Sequence, residues 1–130
     1  MLLHTIGHTF GTLDWKKTTD PAKQEVIKQM TGNKFPFMGA NRSMDDAMDG
    51  YGFALILTLF LITAILWMCS NYAAKNSTLV INFLILISII LLLSGIIELI
   101  YFFPLAAAFT LITMLLTVIA IIQITKIYNR

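Results

Sequence analysis

The hydrophobic pattern is dominated by two long apolar runs. Residues 51–69 lie within the charge-free interval between Asp49 and Lys75, and residues 76–125 contain one charge, Glu98, among Leu, Ile, Phe, Val and Ala. A helix crosses about 30 Å of hydrocarbon with about 20 residues at about 1.5 Å each. The first run therefore holds one span. The second would make a single helix of about 75 Å, far longer than a bilayer is thick. Pro104 divides it, because proline has no amide proton and disfavours helix at the preceding Phe103. The pattern predicts a tight helical hairpin, with spans over residues 77–101 and 105–125.

The polar positions set the remaining elements. Ser43 followed by Asp46 has the spacing of a capping box, with Asp in the place of the usual Glu. Asp45 and Asp46 also suit the positive end of a helix dipole. The helix of the first span is thus expected to start at Ser43, with Asn41 and Arg42 just outside it. Upstream, Asp20-Pro21 supplies an N-cap and a first-turn proline, and Thr31-Gly32 a stop. Between them Val26, Ile27 and Met30 form an apolar stripe, predicting a short amphipathic helix resting on the membrane surface or capping the bundle. Phe35-Pro36-Phe37-Met38 reads as an apolar, non-helical return toward the membrane. Residues 1–13 are apolar with two histidines but too short to span. They are either a half-helix or the visible part of a longer first helix starting upstream of Met1.

The expected fold class is therefore all-α: one integral membrane domain over residues 1–130, a four-helix bundle whose first helix is either short or truncated. Its helices lie at about 2–14, 43–71, 77–102 and 105–127. Residues 15–42 form an extramembrane segment with a helix at about 21–31.

Composition sharpens this picture. Hydrophobic residues make up 58% of the chain and charged ones 12%, with a mean hydropathy of +0.81. The charged share is about half that of ordinary soluble domains, which points to a multi-pass membrane protein. A net charge of +2 without basic clustering argues against nucleic acid as a partner. Cys69 is the single cysteine, so neither an intrachain disulfide nor a cysteine-rich metal site is expected. The start lacks the pattern of a secretory signal, and no lipidation motif is evident. Trp15 on one side, with Trp67 and Tyr72 on the other, suits the aromatic belts of a bilayer.

Following the chain through its turns brings the ionisable groups together. Side A is the side that holds residues 14–42. His8, Asp45, Asp49 and Glu98 all fall at the side A end of their helices, whereas side B holds only Lys75, Lys126 and Arg130. Counting Lys and Arg places side A in the cytoplasm; basic residues upstream of Met1 would join side B, and enough of them would reverse the count, so the orientation stays open.

Charged groups within a membrane usually face the protein interior and have a partner. His8 is the expected partner of Glu98, and the two would form a proton-sharing pair suited to acid–base chemistry or proton relay. Asp49 is a third candidate for a catalytic role. Tyr101, three residues after Glu98, and Ser94, four before it, are candidate ligand contacts together with Arg42. Gly95 would let a neighbouring helix approach closely. The bland alternative for Glu98 is an interhelical hydrogen bond that fixes packing. His4 and His8 are four apart and share a helix face, a spacing that suits a metal or haem if further ligands join. The plainer reading is that both hydrogen-bond Thr, Ser or carboxylate neighbours inside the bundle. Thr110, Thr113 and Thr117 form a stripe of the kind that marks helix–helix contact.

The pattern His4-x-x-Gly7-His8, a polar segment, Arg42-Ser43 with acidic residues, Gly50-Tyr51-Gly52 and the proline-broken hairpin at residues 101–104 resembles a group of small uncharacterised bacterial four-helix membrane proteins. The resemblance covers most of the chain. It implies a four-helix bundle with a first helix extending upstream, and it implies no activity. A more distant likeness is to four-helix membrane isomerases and sterol-binding proteins, which use His and Glu in a bundle cavity. That architecture would give Glu98 and His8 acid–base roles.

Three functions follow as expectations. The first is a non-enzymatic bundle that binds a partner or an apolar ligand, with its His/Asp/Glu cluster holding one end together. The second is a membrane enzyme or proton relay using Glu98, His8 and Asp49 on a lipid-like or quinone-like substrate. The third is metal or haem binding by His4 and His8. No cofactor is specified by the residues alone. The expected partners are the lipid bilayer, with a bacterial inner membrane as the expected location, and a second copy or another membrane subunit.

Overall fold

The computed structural model describes residues 1–128. Arg130, counted above on side B, lies outside the described residues. The elements run α1 (Leu2–Asp14), α2 (Pro21–Gly32), β1 (Lys34–Phe37), β2 (Ala40–Ser43), α3 (Met44–Tyr72), α4 (Ser77–Tyr101) and α5 (Pro104–Tyr128). The chain is mostly helical, and α3, α4 and α5 are each long and apolar enough to cross a membrane. It divides into two compact units. One comprises residues 1–4 with those from Leu59 onward; the other comprises Thr5–Thr58.

Local chemistry accounts for most element ends. The Asp20 side chain accepts a hydrogen bond from the Ala22 amide at 2.9 Å, and Pro21 opens α2 where its missing N–H costs nothing. At the start of α3 the Ser43 amide donates to Asp46 Oδ2 at 3.1 Å, and the Asp46 amide donates to Ser43 Oγ at 3.5 Å. This is the reciprocal pattern of a capping box, closed by aspartate. Asn76 caps α4 by accepting from the Leu79 amide at 3.1 Å. Pro104 is the first residue of α5, so it starts the helix as well as interrupting the run.

A short antiparallel hairpin over residues 34–43 departs from the expected all-α class, in the stretch where a non-helical return was read at residues 35–38. β1 and β2 pair with Phe37 opposite Ala40 and Lys34 opposite Ser43. The two residues between them, Met38 and Gly39, have φ of 47° and 88°. Both central residues of a type I′ turn need positive φ, and that turn matches the twist of the flanking strands. Glycine adopts it freely, whereas methionine does so at a steric cost. The hydrophobic pattern hid the hairpin because the usual Asn-Gly signal is here Met-Gly.

In the unit that contains them, α4 and α5 form the closely packed pair. The buried positions of α4 are Val80, Leu84, Ile87, Ser88, Leu91, Gly95 and Glu98. Their steps of mostly three and four residues trace one continuous stripe. Ala106, Ala107, Thr110 and Thr117 are the buried positions of α5. Small residues let the backbones approach, which is how helices associate where lipid removes the hydrophobic drive between them. At Gly95 the approach is closest, since a Cβ there would come within 2.5 Å of Leu111 Cδ2. Toward the other end, Cys69 of α3 packs with Val80 and Leu84, flanked by Ile65, Leu66, Ala120 and Ile124.

Replacing Gly95 with Val should therefore force Leu111 out of place and separate α4 from α5. The expected loss is about 1–3 kcal/mol of stability, read from unfolding of the purified protein in a denaturing detergent, while Gly32→Ala, where a Cβ meets nothing within 4 Å, should cost much less.

Candidate functional site

Glu98 occupies the last position of the buried stripe on α4, three residues after Gly95, and only 8% of it is exposed. It is six residues before Pro104, and Thr110 is six residues after it. A helical hairpin brings such positions to the same depth, about 9 Å from the turn. His4 enters between them from α1 and is 4% exposed. Its Nε2 lies 3.9 Å from Glu98 Oε1, and its Nδ1 lies 3.1 Å from Thr110 Oγ1. The Phe109 ring stacks on the imidazole with centroids 6.2 Å apart.

The Thr110 hydroxyl behaves differently from the others on its helix. Those of Thr113, Thr117 and Thr125 each donate to the carbonyl four residues earlier, at 2.8, 2.8 and 2.9 Å. That of Thr110 turns to His4 instead. A hydroxyl can donate or accept, so Thr110 suits neutral imidazole and imidazolium alike. The 3.9 Å between His4 and Glu98 is longer than a direct hydrogen bond, a spacing that a single water can bridge. Glu98 Oε2 is buried and has no hydrogen-bond partner among the described residues.

Asp49 belongs to the other compact unit, where it anchors a second polar cluster. Its Oδ1 accepts from Trp15 Nε1 at 2.8 Å, and its Oδ2 accepts from Lys16 Nζ at 2.7 Å. Lys16 also reaches Asp45 at 2.9 Å, and Asp45 in turn accepts from the Ser43 hydroxyl. Hydrogen bonds to Asp49 and Asp45 raise the Lys16 pKa above its ordinary value. Hydrogen bonds from Ser43 and Lys16 lower the pKa of Asp45, and those from Lys16 and Trp15 lower that of Asp49. The tie is therefore formed at neutral pH and is lost as pH climbs through the raised lysine value or falls through the lowered carboxylate values. Trp15, read from the sequence as a belt residue, here joins the end of α1 to the start of α3. Within the same unit Gly52 faces Thr12, where a Cβ would come within 2.5 Å of Thr12 Cγ2.

The remaining sequence candidates fall as follows. His8 lies in the Thr5–Thr58 unit, and its Nε2 is buried with no hydrogen-bond partner among the described residues. Ser94 is half-buried one turn before Glu98. Tyr101 is exposed, and no hydrogen bond joins it to Glu98 among the described residues. Arg42 is exposed on β2, opposite Phe35. No group of three or more His, Cys, Asp or Glu residues that could hold a metal occurs among the described residues. The histidine beside Glu98 is thus His4, one turn earlier than the sequence argument placed it. The equal spacing of Glu98 and Thr110 about Pro104 was the available signal for the Thr110 contribution.

A groove of about 450 Å³ lies in the unit that contains α4 and α5. It is lined by Leu66, Cys69 and Ser70 of α3, Val80 and Leu84 of α4, and residues of α5 that include Thr117 and Ala120. Its upper member on α5 is Thr113, one turn beyond Thr110. The Thr113 and Thr117 hydroxyls each donate within their own helix, and Thr113 Oγ1 also accepts from the Met1 amino group at 3.3 Å, so the lining beyond Thr113 is mostly apolar. Comparison with protein families, curated proteins and solved structures found no match to this chain.

Thr110→Val should leave His4 Nδ1 without its hydroxyl partner and cost about 1–3 kcal/mol. Thr117→Val, which removes a hydroxyl already bonded within its helix, should cost well under half as much in the same detergent-unfolding measurement. Equal losses would mean that Thr110 does not bind the imidazole.

Proposed function

We propose that this is a non-enzymatic, multi-pass membrane bundle that accommodates a lipid-like chain between α3, α4 and α5, with the His4–Glu98–Thr110 cluster fixing the helices above that groove. The observation that carries the reading is the groove itself. About 450 Å³ falls within the range of ligand sites, which are apolar with few polar groups. An acyl or isoprenoid chain matches such a lining, because it brings no polar group that would need a partner. A four-helix arrangement, a kinship with the small bacterial membrane proteins named above and a bacterial inner membrane as location belong to the same proposal. Their support is the His4-x-x-Gly7-His8 pattern and the three long apolar helices.

A photoactivatable fatty acid incorporated in nanodiscs tests the reading. Adducts should concentrate on Ser70, Ala120 and their neighbours. Ser70→Phe and Ala120→Phe should each reduce labelling there by roughly tenfold, equivalent to about 1.4 kcal/mol. Labelling spread evenly over outward residues such as Ile112 and Leu115 would overturn it.

A second reading, proton relay, is favoured by one specific observation. Thr110 can serve His4 in both protonation states, with a carboxyl group 3.9 Å from the other ring nitrogen. Relay predicts that vesicles containing the protein dissipate a pH gradient faster than empty vesicles and that Glu98→Gln abolishes the difference. Identical rates for empty and protein-containing vesicles would dismiss relay and leave the cluster as a packing device.

A further inference from the structure

The β1–β2 hairpin presents an arrangement that the groove and the buried cluster do not explain. Paired residues of an antiparallel ladder project on the same side. Phe35 with Arg42, and Phe37 with Ala40, therefore share one face. Phe37 is 60% exposed and Met38, at the tip, is 92% exposed. Ser43 is buried and belongs to the opposite face, with Lys34 as its partner. Bulky apolar groups thus stand outward at the end of a polar segment, on a hairpin whose flanks carry a lysine and an arginine.

Not every charge near this tip is tied by a direct ion pair. Within this unit Lys16 is paired with Asp45 and Asp49, and Lys17 with Asp14. Asp46 is engaged in capping α3, and Asp20 in capping α2. No ion pair holds Lys34 or Arg42 among the described residues. The hairpin therefore offers Arg42, which has Asp46 as an electrostatic neighbour, on the face of Phe35 and Phe37, and Lys34 on the other face. Aromatic and apolar groups flanked by basic residues suit the boundary between hydrocarbon and anionic headgroups.

Reach allows the contact. β2 ends at Ser43, and α3 begins at the next residue. Seven residues separate Met44 from Tyr51, where the charge-free run starts, a rise of about 10 Å. A four-residue strand spans about 13 Å. The headgroup layer adds about 5–7 Å beyond the hydrocarbon on each side. A hairpin inclined toward the bilayer thus brings its tip into that layer.

We propose that the β1–β2 hairpin is an interfacial foot: Phe37 and Met38 insert among lipid headgroups, and Lys34 and Arg42 bind anionic phosphates. The inference is independent of what the groove holds.

The experiment places a nitroxide at Met38→Cys in a Cys69→Ala background, within nanodiscs containing phosphatidylglycerol. Lys23→Cys on α2 serves as the reference position, and Phe37→Cys as a second site should labelling disturb the turn. Collision rates with oxygen and with a water-soluble nickel chelate report depth. The tip label should favour oxygen over the chelate, whereas the Lys23 label should favour the chelate. Combined Lys34→Gln and Arg42→Gln substitution should lower the inserted-to-free ratio by roughly tenfold or more. Discs of phosphatidylcholine alone should lower it similarly. Two results would overturn the proposal: chelate access at the tip equal to that at Lys23, or protection unchanged in phosphatidylcholine discs.

Discussion

The close packing of α4 against α5 about Pro104 is the constraint on which the rest of the buried structure depends. Within lipid, helices gain little by burying apolar surface on one another, so they associate where small residues permit close approach. Gly95 against Leu111, and the alanines and threonines of α5, provide that approach. Once the two helices are in register, Glu98 and Thr110 stand at equal depth on either side of the turn. The depth of the carboxyl group is thus a consequence of backbone geometry. Its environment is that of a helix seam, with His4 as the nearest basic group.

Each of the two units holds a polar cluster, and the two differ in kind. The His4–Glu98–Thr110 cluster is buried, and each contact in it depends on the arrangement of protons. The Lys16–Asp45–Asp49–Trp15 cluster is partly exposed, and its charges are satisfied by direct bonds of ordinary length. The first joins α1, α4 and α5, whereas the second joins the end of α1 to the start of α3. This division gives the acidic residues separate tasks. Asp49, considered with Glu98 when only the order of helices was known, is engaged by Trp15 and Lys16. Glu98 keeps one oxygen without a hydrogen-bond partner among the described residues.

Much of the secondary structure was legible because its signals are local. Charge-free runs mark α3, α4 and α5, Asp20-Pro21 marks the start of α2, and Ser43 with Asp46 marks the start of α3. The β-hairpin was not legible. Its turn places a methionine where the left-handed conformation favours asparagine or glycine, and its strands are only four residues long. Of the site, Glu98 stood out as a lone charge, and Thr110 as part of a polar stripe. The histidine was less accessible to sequence reasoning. His4 and His8 share a helix face, and a shift of one turn exchanges them.

The sequence by itself determined that three helices are long and apolar enough for a membrane, where they are capped, and which charge lies among them. Those properties arise from hydropathy and from bonds between near neighbours, which residue order specifies directly. The tertiary structure alone decided which imidazole meets Glu98, that Thr110 forgoes its own helix to bind it, and that a groove opens below Thr113. Each depends on how far one helix is displaced along another. A step of one turn, about 5.4 Å, leaves the apolar pattern unchanged and replaces every polar partner.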